Sequence, residues 1–372
     1  MTIRCTLFIA ISVLVLSGHA SAQPEADPIN DRPWWRDAVF YQVFVRSFQD
    51  ATHGPFAGDG KGDLQGLIDR LDYLNDGDTA TTDDLGITAL WLMPICESET
   101  YHGYDIEDYR KVDAELGTNE LFIELMDECH KRGIRVITDW VMNHSSWKHP
   151  WFKSAVQPES ADRGRYIFRD PRPTSRGPWG QNVWHDNARG QSGHSYYGVF
   201  SHTMPDLNLR DGRNTRDLHS AAEFWLTDLK ADGFRLDAIK FMVENFPDGL
   251  DSTPETLEWL SNFREHAHAV NPDAFIIGEV WDNAEVVRSY IDAGAVDSAF
   301  EFDLSFKLID ALNAGDATEL AAHISQLAET YDAAGPMGGH LYSTFLSNHD
   351  QTRVLTRLGG DVRRPGWPQR SR

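Results

Sequence analysis

Apolar residues along the chain fall in short continuous runs separated by stretches of helical period. "AVFYQVFV" (38–45) is an unbroken run rich in aromatic and β-branched residues, the pattern of a strand buried on both faces. "TALWLMP" (88–94) is a second strand, stopped by Pro94, and "LQGLIDRLDYL" (64–74) between them is spaced like a helix. "TNELFIELMDECHKRG" (118–133) predicts an amphipathic helix. Leu121, Phe122, Leu125, Met126 and Cys129 share one face, Thr118 caps the start and Gly133 ends it. "IRVITDWV" (134–141) is the next strand. The order then recurs: helix "AAEFWLTDLKADG" (221–233) before strand "GFRLDAIKF" (233–241), and helix "LSNFREHAHAV" before strand "AFIIGEV" (274–280). "AFEFDLS" (299–305) and "LYSTFLS" (341–347) bring the strands to seven.

Buried strands alternating with helical crossovers predict an α/β protein built on a parallel sheet. Seven strands is one short of a (β/α)8 TIM barrel. The expected architecture is therefore such a barrel lacking its eighth strand. Residues 145–215, rich in Trp, Tyr, Gly, Pro, Asp and Arg and weakly periodic, break the rhythm and read as a subdomain inserted after strand 3. The expected divisions are 35–144 and 216–362 for the two barrel parts, the latter carrying strands 4–7. "RRPGWPQRSR" (363–372) is a basic, Pro-rich tail that follows the seventh strand where a helix and another strand are due. It reads as a premature or frame-shifted end, the alternative being a natural short tail.

Composition narrows the classes. With 41% apolar and 24% charged residues in 372, there is material for a sizeable core. A formal charge of −23 argues against a nucleic-acid partner, because an acidic surface repels phosphate. Residues 1–22 have the form of a secretory signal peptide: Arg4, the apolar "LFIAISVLVL" and the small-residue site "ASA" at Ala20–Ala22. A secreted or periplasmic protein with no membrane span after signal removal is expected, and a monomer. Cleavage leaves Cys96 and Cys129, which can pair; Cys129 on an apolar helical stripe reads as a buried thiol.

Charged residues gather at the ends of the strands. Asp139, Asn143 and His144 follow strand 3, Arg235 and Asp237 lie in strand 4, Glu279 follows strand 5, and Asn348, His349 and Asp350 follow strand 7. In a β/α barrel these ends share one face, where such enzymes work. Two nearby carboxylates, one ionised and one protonated, are what glycoside hydrolysis requires. Arg235, two residues before Asp237, leaves the strand on the same side and would hold it ionised. Glu279 follows Ile-Ile-Gly, a less polar setting suited to a general acid.

These stretches together resemble the α-amylase family of glycoside hydrolases: "DWVMNH", "GFRLDAIKF", "GEVW", "FLSNHD", "MPDLN" (204–208) and "GITALWLMPI" (86–95). The resemblance runs from about residue 35 to about 362. "MPDLN", "YLNDGD" and "NHSSWKHPWF" are most similar to a bacterial group intermediate between oligo-1,6-glucosidases and neopullulanases. It implies Asp237 as nucleophile, Glu279 as general acid/base and Asp350 as the carboxylate that orients sugar hydroxyls. It implies that His144 and His349 donate to the sugar before the cut, Tyr104 stacks on that sugar, Asp139 braces the site and Lys240 sits just past the scissile bond. The reaction implied is cleavage of internal α-1,4 bonds of starch and maltooligosaccharides with retention, through a covalent glycosyl-enzyme. The alternatives are an α-glucan transferase or trehalose-forming isomerase using the same intermediate, or an inactive truncated product.

Three departures bear on this. "DATHGPFAGDGKGD" (50–63) resembles the family's calcium loop but carries extra residues. Asp50, Asp59 and Asp63 are hard oxygen ligands for Ca²⁺ there, the alternative being a solvated acidic loop. Asn143 and Asp206 are candidates for a second site, although Phe241 stands where many relatives carry the His that contributes to it. Tyr101 and His102 precede Gly103, where exo-acting oligo-1,6-glucosidases usually carry an Asp, which favours an open cleft. The insert's Trp147, Trp151, Trp179, Trp184, Tyr196 and Tyr197 either line the cleft or pack the subdomain.

Overall fold

A computed structural model describes residues 32–186, 195–247, 249–332 and 342–360. Its centre is a seven-stranded, wholly parallel sheet in chain order: β1 (Phe40–Val43), β2 (Ala89–Leu92), β3 (Arg135–Trp140), β4 (Gly233–Leu236), β5 (Phe275–Gly278), β6 (Ser298–Phe300) and β7 (Tyr342–Ser343). Each strand pairs with the next, as a β/α barrel requires. The expected signal peptide (1–22) and tail (363–372) lie outside the described residues.

Side chains alternate across the strands and build two cores. Phe234, Leu236 and Ile276 face outward with Leu90 and Val136, against the helices. Trp91, Ile137, Phe275, Ile277 and Phe300 face inward, with Trp34 and Trp35 packed at the same cluster. The inward row also carries Gln42, Asp139 and Arg235, and the register pairs Gln42 with Trp91 and Asp139 with Arg235. Burying charge in this row is costly unless it is paired. β4 and β5 approach so closely that a Cβ on Gly233 would lie 2.1 Å from the Phe275 carbonyl oxygen, and Gly233 has φ +148°. Only glycine meets both demands.

The helix Asn119–Lys131 forms as its pattern predicts. Thr118 Oγ1 accepts from the Leu121 N–H at 3.2 Å, and Phe122, Leu125, Met126 and Cys129 are buried. Cys96 and Cys129 are both free and buried, and burial pushes both thiols up. Several strands end earlier than their apolar runs. β1 stops at Val43 and the chain turns into a helical turn, Val45–Phe48. β4 stops at Leu236, Ala238 takes a left-handed φ of 51°, and Ile239–Phe241 forms a 3-10 turn. β6 stops at Phe300, and "FDLS" opens the helix Phe302–Ala314 instead of continuing the strand.

Within 145–215 lie the helix Pro150–Ala155 and three short antiparallel strands, Phe168–Arg169 and Trp184–Asp186 flanking Ser195–Tyr197. The crossover helix Gly212–Thr227 already begins inside that stretch. A second antiparallel pair, Cys96–Ser98 with Ile106–Val112, leaves the barrel after β2. Its pattern buries Ile106, Tyr109 and Val112 at every third position, so it carries no strand period in the sequence.

Candidate active site

The early end of β4 shapes the site. The left-handed turn at Ala238 lifts the chain off the sheet just after Asp237, whose N–H donates to the Trp140 carbonyl at 3.1 Å. The Ala238 N–H donates to Glu279 Oε2 at 3.0 Å. The turn thus fixes the nucleophile candidate and tethers the acid candidate from the next strand.

Arg235 lies beneath both, with no solvent exposure. Its Nη1 donates to Asp139 Oδ1 at 2.7 Å and to Asp237 Oδ1 at 2.8 Å. Nη2 lies 2.7 Å from Glu279 Oε2, a charge contact whose angle makes no hydrogen bond. The Trp91 ring lies 5.1 Å from the guanidinium carbon. Three carboxylates around one cation leave a net charge of −2 when all are ionised, which favours keeping a proton in the cluster. Burial pushes Asp237 well above the usual carboxylate range; Arg235 opposes this, and Glu279 and Asp139 add to it. Arg235 acts on Asp237 in the expected direction, towards the ionised form the nucleophile needs, but its guanidinium is shared among three anions. Burial pushes Asp139 up to about 6, against Arg235.

The other expected residues surround this cluster. Asp237, Glu279, Asp350, Tyr104, His144, Lys240 and His349 all line one cavity of about 970 Å³. Tyr104 donates its hydroxyl proton to Asp139 Oδ2 at 3.1 Å and stacks with the His349 ring, centroids 5.6 Å apart. His349 Nε2 lies 2.7 Å from the Tyr104 hydroxyl and 3.3 Å from Asp350 Oδ2. Burial and Arg235 push His349 down to about 4. Burial raises Asp350, which Arg235 opposes. His144 is buried and pushed down to about 4, with Nε2 3.1 Å from the Tyr104 carbonyl oxygen. Lys240 Nζ pairs with Asp282 Oδ2 at 2.7 Å.

Sequence reasoning missed Gln42, a lone polar residue in an apolar strand, and Trp91, which looks like a core residue. It also left the insert's aromatics undivided. Trp184, Tyr196 and Tyr197 are buried, and Trp147 and Trp151 pack on the core. Trp179 is 61% exposed and lines the cavity, where it meets Phe200 and Phe241 at ring distances of 5.8 and 5.2 Å.

The two calcium candidates part company. Asp63 caps the helix Leu64–Asp69: Oδ1 accepts from the Gly66 N–H and Oδ2 from the Ala51 N–H. Asp50 accepts from Gly58 and Gly60, and Asp59 from Lys61. Among the described residues no three His, Cys, Asp or Glu side chains gather to hold a metal. These three carboxylates accept hydrogen bonds from the loop's own backbone. Asn143 and Asp206 do meet, at the junction of insert and barrel, with Nδ2 to Oδ2 at 3.5 Å. The Asn143 amide also donates to the Phe241 main-chain carbonyl, so that oxygen is supplied whatever the side chain. Glu244, which sequence reasoning missed, is buried beside them, and its Oε1 has no hydrogen-bond partner. Burial and Glu244 hold Asp206 up, and burial lifts Glu244 to about 7. Two buried carboxyls, one of them with an orphaned oxygen, together with an amide and a carbonyl fit a hard cation.

A curled parallel α/β sheet with acids from successive strand ends around a buried arginine defines an enzyme site of the TIM-barrel kind. The chain belongs to the α-amylase family: the model of the α-amylase catalytic domain matches residues 42–367. It is similar to α-amylase 3 of Dictyoglomus thermophilum, 35% identical over 89% of this chain and 60% of that one. It is similar to an oligo-1,6-glucosidase of Heyndrickxia coagulans, 33% identical over 88% and 61%. A solved α-amylase from H. orenii superposes with a TM-score of 0.78 at 39% identity, over 87% of this chain and 64% of that one. The chain spans about 60% of the length of the curated relatives it matches.

Proposed function

We propose that the protein is a retaining α-glucoside hydrolase that cleaves internal α-1,4 bonds of starch and maltooligosaccharides. The observation that carries this is the sharing of Arg235 by Asp237 and Glu279 at the wall of one cavity. Sharing one guanidinium keeps the two carboxyl groups close, as retention demands. Asp237 attacks the anomeric carbon while Glu279 gives a proton to the leaving oxygen; Glu279 then takes a proton from the water that releases the sugar. Asp350, His349 and Tyr104 present acceptor, donor and ring face to the bound sugar. An α-amylase among the relatives supports the bond type. Tyr101 and His102 before Gly103 support internal cleavage.

The signal-like segment at 1–22 supports export, which brings the enzyme to polymer outside the cell. No helix among the described residues is long and apolar enough to cross a membrane. Asn143, Asp206 and Glu244 would hold Ca²⁺, which would clamp the insert to the barrel through electrostatic attraction.

Incubation with maltotetraose tests the reading. Shorter products from the wild type, and a rate lowered by a factor of about 10²–10⁴ in Glu279→Gln, are expected. Products longer than the substrate identify a transferase instead, and an unchanged Glu279→Gln rate removes the acid/base assignment.

A further inference from the structure

Gln42 faces into the barrel from β1, and its Nε2 lies 2.9 Å from His349 Nδ1. A chain of contacts continues from there: His349 Nε2 to the Tyr104 hydroxyl at 2.7 Å, then Tyr104 to Asp139 Oδ2 at 3.1 Å. Asp139 biases the chain from its far end. It accepts from Arg235 Nη1 at 2.7 Å and from Trp91 Nε1 at 3.2 Å, and neither donor can reverse. The Tyr104 hydroxyl has one proton. Pointed at Asp139, it leaves a lone pair for His349, which favours hydrogen on Nε2 but does not hold it there alone, because the hydroxyl can turn. A neutral imidazole then has a bare lone pair at Nδ1, and the Gln42 amide N–H meets it. The reversed chain would set the Tyr104 oxygen against the Asp139 carboxylate with no proton between them.

We propose that Gln42 is a positioning residue: by donating to His349 Nδ1 it locks the neutral ring in the tautomer whose Nε2–H faces Tyr104 and Asp350 in the cavity. The groups around the ring agree. Arg235 on β4 and Arg353 after β7 disfavour a charged ring, Glu279 after β5 favours it, and Asp350 adjoins the ring at 3.3 Å. A donor fixed in direction before substrate arrives needs no reorganisation when a sugar hydroxyl takes its hydrogen bond. That consequence rests on the glycosidase reading; the tautomer does not.

Nitrogen-15 NMR of histidine-labelled protein reads the tautomer, with His349 assigned by its through-space contact to the stacked Tyr104 ring. The wild type is expected to show protonated Nε2 and bare Nδ1 between about pH 6 and 8. Gln42→Leu keeps the bulk and removes the donor. It should give a mixture of tautomers and a kcat/KM on maltotetraose lowered roughly tenfold, mostly in kcat. Gln42→Glu should draw the proton to Nδ1 and give the rate an alkaline limb that wild type and Gln42→Leu lack. A protonated Nδ1 in the wild type overturns the inference whatever the activity, and so does an unchanged tautomer in both variants. Protonated Nε2 in a protein inactive on α-glucans supports the inference and overturns the glycosidase reading.

Discussion

Asp139 Oδ1 and Arg235 Nη1 lie 2.7 Å apart, and neither side chain reaches solvent. The pair stands in the inward row of the sheet, where its neighbours below are apolar. Its value is positional: Arg235 reaches up to Asp237 and Glu279 only while Asp139 and Trp91 hold it from the other side.

Removing Asp139 should therefore cost both stability and geometry. Asp139→Ala leaves Arg235 paired with Asp237 and Glu279 but strips buried Arg235, Trp91 and Tyr104 of a hydrogen-bond acceptor, and is expected to lose about 1–3 kcal/mol in urea denaturation. Wild-type stability in this variant would mean that the pair does not support the fold.

Glu301, just after β6, gives a pH dependence unconnected with catalysis. It is fully buried; Tyr331 donates to Oε2 at 3.3 Å, and Oε1 has no partner. Burial raises it from 4.5 to about 7 against the Tyr331 bond, with Asp303 adding to the rise. Between those values the folded state holds the proton that the unfolded state has lost. Its contribution is thus complete below about pH 4.5 and disappears as pH rises through about 7. Glu301→Gln should match wild type near pH 4.5 and exceed it by about 3 kcal/mol at most near pH 8, read by denaturation at each pH.

Trp179, with Phe200, brings the insert's aromatic surface to the cavity. Trp179→Ala should raise KM for maltotetraose by roughly threefold to tenfold, with kcat and Tm nearly unchanged. A large fall in Tm with unchanged KM would make it a packing residue.

For calcium, a chelator should lower Tm of the wild type, and Glu244→Gln should shrink that effect. Asp59→Asn, in the loop whose carboxylates serve the backbone, should leave the response to chelator intact. The reverse pattern would move the ion to residues 50–63.

Much of this was legible in the chain. The seven strands, the Thr118 cap and the gathering of acids at strand ends follow from apolar runs and from charges too costly to bury without use. Strand ends were not legible: "RLDAIKF" and "EFDLS" remain apolar past the point where the chain turns. Phe302 buries in the same inner cluster as Phe300, although it opens a helix. Gln42, Trp91 and Glu244 carry no signal of their own, because their partners come from strands and loops far along the chain. The loop 50–63 has a use for its acids that spacing does not reveal. Asp63 is spaced like a ligand, but its oxygens cap a helix and hold Ala51.

The central claim is that Asp237 forms a covalent bond to the sugar. A 5-fluoroglucosyl fluoride of α configuration, which slows release of the intermediate more than its formation, tests it directly when the enzyme is digested and mapped by mass spectrometry. The account predicts a single glycosyl adduct, on Asp237, absent from Asp237→Asn. An adduct on Glu279, Asp350 or Asp139, or turnover that inverts the anomeric centre with no adduct, would contradict it.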